Sequence, residues 1–167
     1  LNTHISSKAE INLLLGTNHI QIENEETTIL SRIIKEKYPD YESIIPPDNE
    51  KKIEINREDL LSAVKRVAIF SNRTTKQVTL NFENNSVMVD TKDAENMTAG
   101  NESVVCKYDG EALSIGFNAT FLKELLSHQT SEELLIKLKS SLGAGMFYPL
   151  EKKPEKEIVT LLMPIRI

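Results

Sequence analysis

The sequence predicts an α+β fold, with paired helices packed on antiparallel sheet. Three observations carry that expectation. Two stretches show a helical apolar face, each opened by an asparagine, at Asn56 and Asn118. Runs of alternating apolar and polar residues separate and follow them. The order helix, strands, helix, strands then repeats in pattern without repeating in sequence, as expected of two similar units sharing a core.

The first elements are strands. Ile11, Leu13 and Leu15 share one parity, Gly16-Thr17-Asn18 reads as a turn, and Ile20 and Ile22 continue on the far side. Residues 27–34 read as a further strand. The segment KEKYPDYESIIPPDNEKK follows, with prolines at 39, 46 and 47. Proline lacks a backbone donor and biases its predecessor to extended geometry, so this reads as a connection. A domain boundary is expected near Pro46-Pro47.

Asn56 caps the first predicted helix, with Glu58 and Asp59 in its first turn, where carboxylates suit the helix dipole. Leu60, Leu61, Val64, Val67 and Ala68 share one face. Val78, Leu80 and Phe82 alternate, Asn84-Asn85 turns, and Val87 and Val89 alternate again. Residues 104–108 and 113–117 flank Asp109-Gly110, which predicts a tight hairpin. Asn118 caps the second helix, with Phe121, Leu122, Leu125 and Leu126 on one face. Strands are expected again at 134–138, 146–148 and 158–163.

Composition bounds the function. The 167 residues are 40% hydrophobic and 27% charged, which suits a soluble globular class, and no apolar run reaches membrane-span length. The net charge of −5 argues against diffuse nucleic-acid binding. A local basic face remains compatible with it, since phosphate contacts depend on where charges sit. From Arg57 to Lys76 five basic residues (Arg57, Lys65, Arg66, Arg73, Lys76) stand against two acids. On composition alone a solvated helix face is the favoured account of that stretch.

No catalytic constellation emerges. His4, His19 and His128 lie in different elements, without metal-ligand spacing. The single cysteine, Cys106, sits mid-strand and reads as a buried inert thiol. Gly143-Ala144-Gly145 lacks the Lys-Ser/Thr of a P-loop and reads as a tight loop. The carboxylates of EINRED and SEEL fit capping and solvation. No cofactor or metal is expected. The C-terminal LLMPIRI is either a core strand or the wall of an apolar binding site, and its methionine suits an adaptable surface.

Four motifs, in this order and spacing, carry a family resemblance: KYPDYESIIP, LLSAVKRVAIFSN, IGFNATFLKELL and LLMPIRI. Together they resemble the bacterial sliding clamp, the beta subunit of DNA polymerase III. The resemblance implies the DNA-clamp fold of pseudo-repeated helix–strand units. It implies a ring dimer that encircles duplex DNA in the bacterial cytoplasm. It also implies an accessory, non-catalytic processivity role in a DNA-directed DNA polymerase (a nucleotidyltransferase) complex. Residues 48–167 would be the third clamp domain, and residues 1–47 the end of the second plus a linker, so the chain is expected to be a C-terminal fragment.

The resemblance assigns residues too. A hydrophobic pocket for linear peptides of polymerase, clamp loader and repair proteins would draw on Pro39, Ser43, Ile44, Thr75, Asn118, Phe121, Leu142, Ala144, Leu161, Met163, Pro164 and Arg166. Glu42, Ser43 and Thr75 stand where many members carry basic or aromatic residues, so a less cationic rim is expected. Ala68, Ile69 and Phe70 would meet the neighbouring subunit. Lys65, Arg66 and Lys123 would face the DNA channel.

Overall fold

The computed structural model describes residues 10–38, 40–46, 48–150 and 159–167. Pro39, among the expected pocket residues, and His4 lie outside the described residues. The chain forms two compact units, Leu1–Asp40 and Tyr41–Ile167. The sequence expectation places the boundary some residues later, near Pro46-Pro47.

The first unit contains a meander of β1 (Asn12–Leu15), β2 (His19–Glu23) and β3 (Thr28–Arg32). Leu15 pairs with Ile20 across the Gly16 turn, as the alternation predicts. Ile22 is buried, while Leu13, Leu15, Leu30 and Ile34 are exposed.

The second unit opens with a 3-10 turn, Glu42–Ile44, and then repeats one pattern twice. The first copy is β4 (Lys51–Asn56), α1 (Arg57–Val67), a 3-10 turn (Ala68–Phe70), β5 (Gln77–Glu83), β6 (Ser86–Asp93) and β7 (Thr98–Lys107). The second is β8 (Leu113–Asn118), α2 (Ala119–His128), β9 (Glu133–Leu138), β10 (Gly145–Pro149) and β11 (Thr160–Leu162). Their strands make one eight-stranded sheet, ordered β11-β10-β9-β4-β7-β6-β5-β8. All its strand pairs are antiparallel.

Each copy lends its first strand to the other. β4 pairs with β9 along six residues, and β8 pairs with β5 along six. β4 also meets β7 of its own copy, through Glu54–Lys107 and Ile55–Cys106. The matching contact in the second copy is a single bridge between Gly116 of β8 and Ile165, just beyond β11. Ile165 N–H donates to the Gly116 carbonyl at 2.9 Å. The outermost strands of the order are thereby joined, and the sheet closes on itself.

The core lies between helices and sheet. Leu60, Leu61, Val64 and Val67 of α1 and Leu122 and Leu126 of α2 are buried with Ile53, Ile55, Leu80 and Phe82. Phe117 and Phe147 meet edge-to-face at 6.3 Å, and Phe82 and Tyr108 at 6.0 Å. Both helices are capped as expected. Asn56 Oδ1 accepts from Glu58 N and Asp59 N, and Asn118 Oδ1 from Thr120 N and Phe121 N.

Three expectations need correction. The connection ends earlier than the sequence suggests, because residues 51–56 form β4. Ile53 and Ile55 are fully buried, and their alternation with charged neighbours marks a strand. Asp109-Gly110 does not join a hairpin, because β7 pairs with β6 and β4 while β8 pairs with β5. Neither Asp109 nor Gly110 has the positive φ that a type I′ turn needs, whereas Asn84 and Asn85 both do, at 50° and 57°. The Tyr108 hydroxyl donates to the Glu111 carbonyl and holds residues 108–111 as a wider loop. Finally, Phe121 leaves the apolar face of α2 and is 58% exposed.

Candidate functional site

Asn118 organises one corner of the molecule. Besides capping α2, its Nδ2 donates to the Thr75 carbonyl at 3.3 Å. The next amide, Ala119 N–H, donates to the Lys76 carbonyl at 2.7 Å. The loop before β5 is therefore seated on the start of α2. Its other end is held by Asn72, whose Oδ1 accepts from Thr74 N and Thr75 N. Asn72 Nδ2 reaches Asp93 Oδ1 at 3.3 Å. Asp93 is buried, and hydrogen bonds led by that from the Asn96 side chain hold its carboxyl below the usual carboxylate range.

The C-terminal residues arrive at the same corner. β11 runs beside β10 with Leu162 opposite Gly145 and Leu161 opposite Met146. Gln129, just past α2, donates to the Thr160 hydroxyl at 3.0 Å. Pro164 follows, and Ile165 then bridges to Gly116, two residues before Asn118. As far as Leu162 the tail is a half-buried strand packed against the core, and beyond it Met163 is 53% exposed.

The structure thus brings Thr75, Asn118 and Phe121 to the start of α2, with Pro164 and Arg166 flanking the Gly116 bridge. Ala144 is buried beside β10 and its carbonyl accepts from Asn49 Nδ2 at 3.3 Å, while Leu142 is exposed on the preceding turn. Ser43 and Ile44 sit exposed on the 3-10 turn ahead of β4. Phe121, Leu142 and Met163 are each exposed apolar side chains. Such surface can hold an apolar side chain of a partner by desolvation, worth about 1.5–3 kcal/mol per buried Leu or Phe.

A second surface lies at the end of α1. Ile69 projects outward, 76% exposed. Phe70 turns back, and a Cβ added to Gly100 of β7 would stand 2.6 Å from its Cδ2, so only glycine leaves room for this ring. Thr98 Oγ donates to the Phe70 carbonyl at 3.0 Å. β7 is paired with β6 throughout 98–105 but meets β4 only at Cys106 and Lys107. Among the described residues its other edge is unpaired over 98–105, next to Ile69 and Phe70, and an unpaired edge can accept another strand. Sequence reasoning found Ile69 and Phe70 but missed this edge and Gly100.

The expected channel cations divide. Arg66 is held by Glu102 of β7 through two hydrogen bonds of 2.8 and 2.5 Å. Lys65 and Lys123 have no ion-pair partner among the described residues. Cys106 is buried, and burial pushes its thiol pKa up. A thiol reagent near neutral pH is expected to label the native chain at least about tenfold more slowly than the chain in denaturant. Equal rates would show that Cys106 is open to solvent. Among the described residues no group of three His, Cys, Asp or Glu side chains is placed to hold a metal ion, and no helix is long and apolar enough to cross a membrane.

Two strand–helix–three-strand units with exchanged first strands define a clamp-type domain. Residues 42–166 match the family model for the DNA polymerase III beta subunit, C-terminal domain. The chain belongs to that family. It is 28% identical over 158 residues to the beta sliding clamp of Pseudomonas aeruginosa, covering 95% of this chain and 42% of that protein. For the Pseudomonas putida clamp the values are 27% over 157 residues, 94% and 42%. The chain thus spans about two-fifths of the length of these relatives. Among solved structures, the Pseudomonas aeruginosa DNA polymerase sliding clamp with ligand gives a TM-score of 0.76 at 27% identity, covering 96% of this chain and 43% of that one. The Bartonella birtlesii sliding clamp bound to griselimycin gives 0.78 at 25%, covering 94% and 41%.

Proposed function

We propose that this chain is part of a DNA sliding clamp, a processivity factor with no chemistry of its own that tethers the replicative polymerase to its template. The observation that carries this reading is the likeness, over nearly the whole chain, to sliding clamps at 25–28% identity. In this reading residues 48–167 act as the third clamp domain and residues 1–47 as the end of the second with its linker. A longer polypeptide carrying the chain closes as a homodimeric ring around duplex DNA in the bacterial cytoplasm, as an accessory subunit of a DNA-directed DNA polymerase complex.

Each surface has a role in that ring. Ile69, Phe70 and the open edge of β7 meet the neighbouring subunit, where apolar burial and strand pairing add together. Thr75, Asn118, Phe121, Leu142, Ala144, Leu161, Met163, Pro164 and Arg166, with Ser43 and Ile44, receive short peptides of polymerase, clamp loader and repair proteins. The apolar members grip, and the Asn118 and Arg166 side chains fix orientation. Lys65, Arg66 and Lys123 face the duplex and touch its phosphates through screened charge, without reading sequence.

Loading onto nicked circular DNA by the cognate clamp loader tests the proposal. The longer polypeptide is expected to stay on the circle during gel filtration and to fall off once the DNA is linearised. Equal retention on circular and linear DNA, or none on either, would overturn the topological tether.

A further inference from the structure

The turn between β9 and β10, residues 139–144, carries exposed Leu142 and buried Ala144, both assigned above to the peptide pocket. Residue pairing between β9 and β10 ends at Lys137 and Met146, so the turn lies beyond that ladder. On its other side β10 pairs with β11 as far as Gly145 and Leu162. One step further along these two chains stand Ala144 and Met163.

Asn49 closes the base of this turn. It lies two residues before β4 and five after Ile44. Its Nδ2 donates to the Lys137 carbonyl at 3.0 Å and to the Ala144 carbonyl at 3.3 Å. One amide group thus spans the end of the β9 ladder and the residue that leads into β10. A second tie to the same segment, Lys139 to Asp48 at 3.8 Å, joins two exposed side chains, and screened pairs of that kind hold little. The other half of the Asn49 amide is left unmatched. Its Oδ1 is enclosed and has no hydrogen-bond partner among the described residues. Turning the amide over would not help, since both neighbours are carbonyls and only the NH2 end can serve them. An enclosed acceptor without a donor works against stability. Stability therefore gives little reason for an asparagine here, whereas the geometry of the turn does.

We propose that Asn49 is a positioning residue of the peptide pocket, holding the 139–144 turn so that Ala144 stays against the tail and Leu142 is presented from a fixed backbone. This role rests on the peptide-pocket reading above and deepens it. Asn49 acts through the turn, and the ligand is the same short segment with Leu and Phe side chains. Because it follows Ile44 closely in the chain, it also links the 3-10 turn of Ser43 and Ile44 to the turn of Leu142.

The test measures binding of a labelled peptide bearing Leu and Phe to the longer polypeptide by fluorescence anisotropy. It uses Asn49→Ala, which removes donor and unmatched acceptor together, and Asn49→Asp, which keeps the shape and removes the donor. Both are expected to bind the peptide at least about fivefold more weakly, and in a Leu142→Ala background the same changes should cost less than about twofold. The melting temperature of Asn49→Ala should stay within about 2 °C of the native value, because the enclosed acceptor is lost with the donor. A merely structural role would give the opposite split, with a lower melting temperature and an unchanged affinity of the folded protein.

Native affinity in both Asn49 variants, with binding still lost in Phe121→Ala, would overturn the positioning role and leave the pocket standing. So would a loss that is undiminished in the Leu142→Ala background, since Asn49 would then act through something other than the turn. Peptide binding that neither Phe121→Ala nor Leu142→Ala weakens, or none by the native protein, would overturn the pocket reading and this role with it.

Discussion

Gly116→Val is expected to detach the C-terminal residues and abolish peptide binding while leaving both helices in place. A Cβ at this position would stand 3.0 Å from the Ile165 carbonyl oxygen and 2.5 Å from Ile167 Cγ2. The first neighbour is backbone, so the strain cannot be relieved by a rotamer change. Valine adds two methyl groups to that clash. Overpacking of this kind costs about 1–3 kcal/mol, and here undocking the tail is the easy escape. Pro164 and Arg166 would then leave the corner where Asn118 and Phe121 remain. Fluorescence anisotropy with a labelled peptide bearing Leu and Phe should show at least about tenfold weaker binding. Circular dichroism should show the helices retained. Unchanged affinity would mean that the docked tail is not part of the peptide site.

Phe117→Ala should be the most destabilising single truncation. The ring is fully buried in β8, meets Phe147 of β10 at 6.3 Å, and lies where a Cβ on Gly145 would come within 3.2 Å of its Cζ. It therefore packs between strands near opposite ends of the sheet order. Removing a buried Phe typically costs about 3–5 kcal/mol, from lost burial and from the cavity left behind. Urea unfolding should show a lower midpoint whose shift, multiplied by the slope, gives that free energy, with little change in the slope itself. A loss under about 1 kcal/mol would mean that neighbouring side chains close the space.

What the sequence revealed was local. Asn56 and Asn118 announced both helices, because a cap acts within three residues of its own position. Asn84-Asn85 announced the β5–β6 hairpin for the same reason. Thr75, Asn118, Phe121 and the tail were named through a resemblance, and the fold brings those residues to one corner. The misses were pairings between distant segments. Asp109-Gly110 carries good hairpin residues, yet eight residue pairs with β6 hold β7 on one side and six with β5 hold β8 elsewhere. The ion pair of Arg66 was not legible either, because Glu102 lies 36 positions away. Gly100 and Gly116 show their meaning only beside Phe70 and Ile165. No periodicity encodes such partners.

The two copies of the repeat are sealed unequally. On one side β4 and β7 meet through two residue pairs within the buried run of Ile55 and Cys106. On the other a lone bridge joins Gly116 to residues that end in exposed Arg166 and Ile167. Local opening costs least where the fewest buried neighbours must separate, so the second seam is expected to open first, which amide hydrogen exchange at Ile165 would read. A ligand lying against Pro164 and Phe121 meets its full site only while that seam is shut. By mass action it then holds the barrel closed as well as occupying it. Docking at the proposed pocket and closure of that seam are, in that sense, a single equilibrium read from two sides.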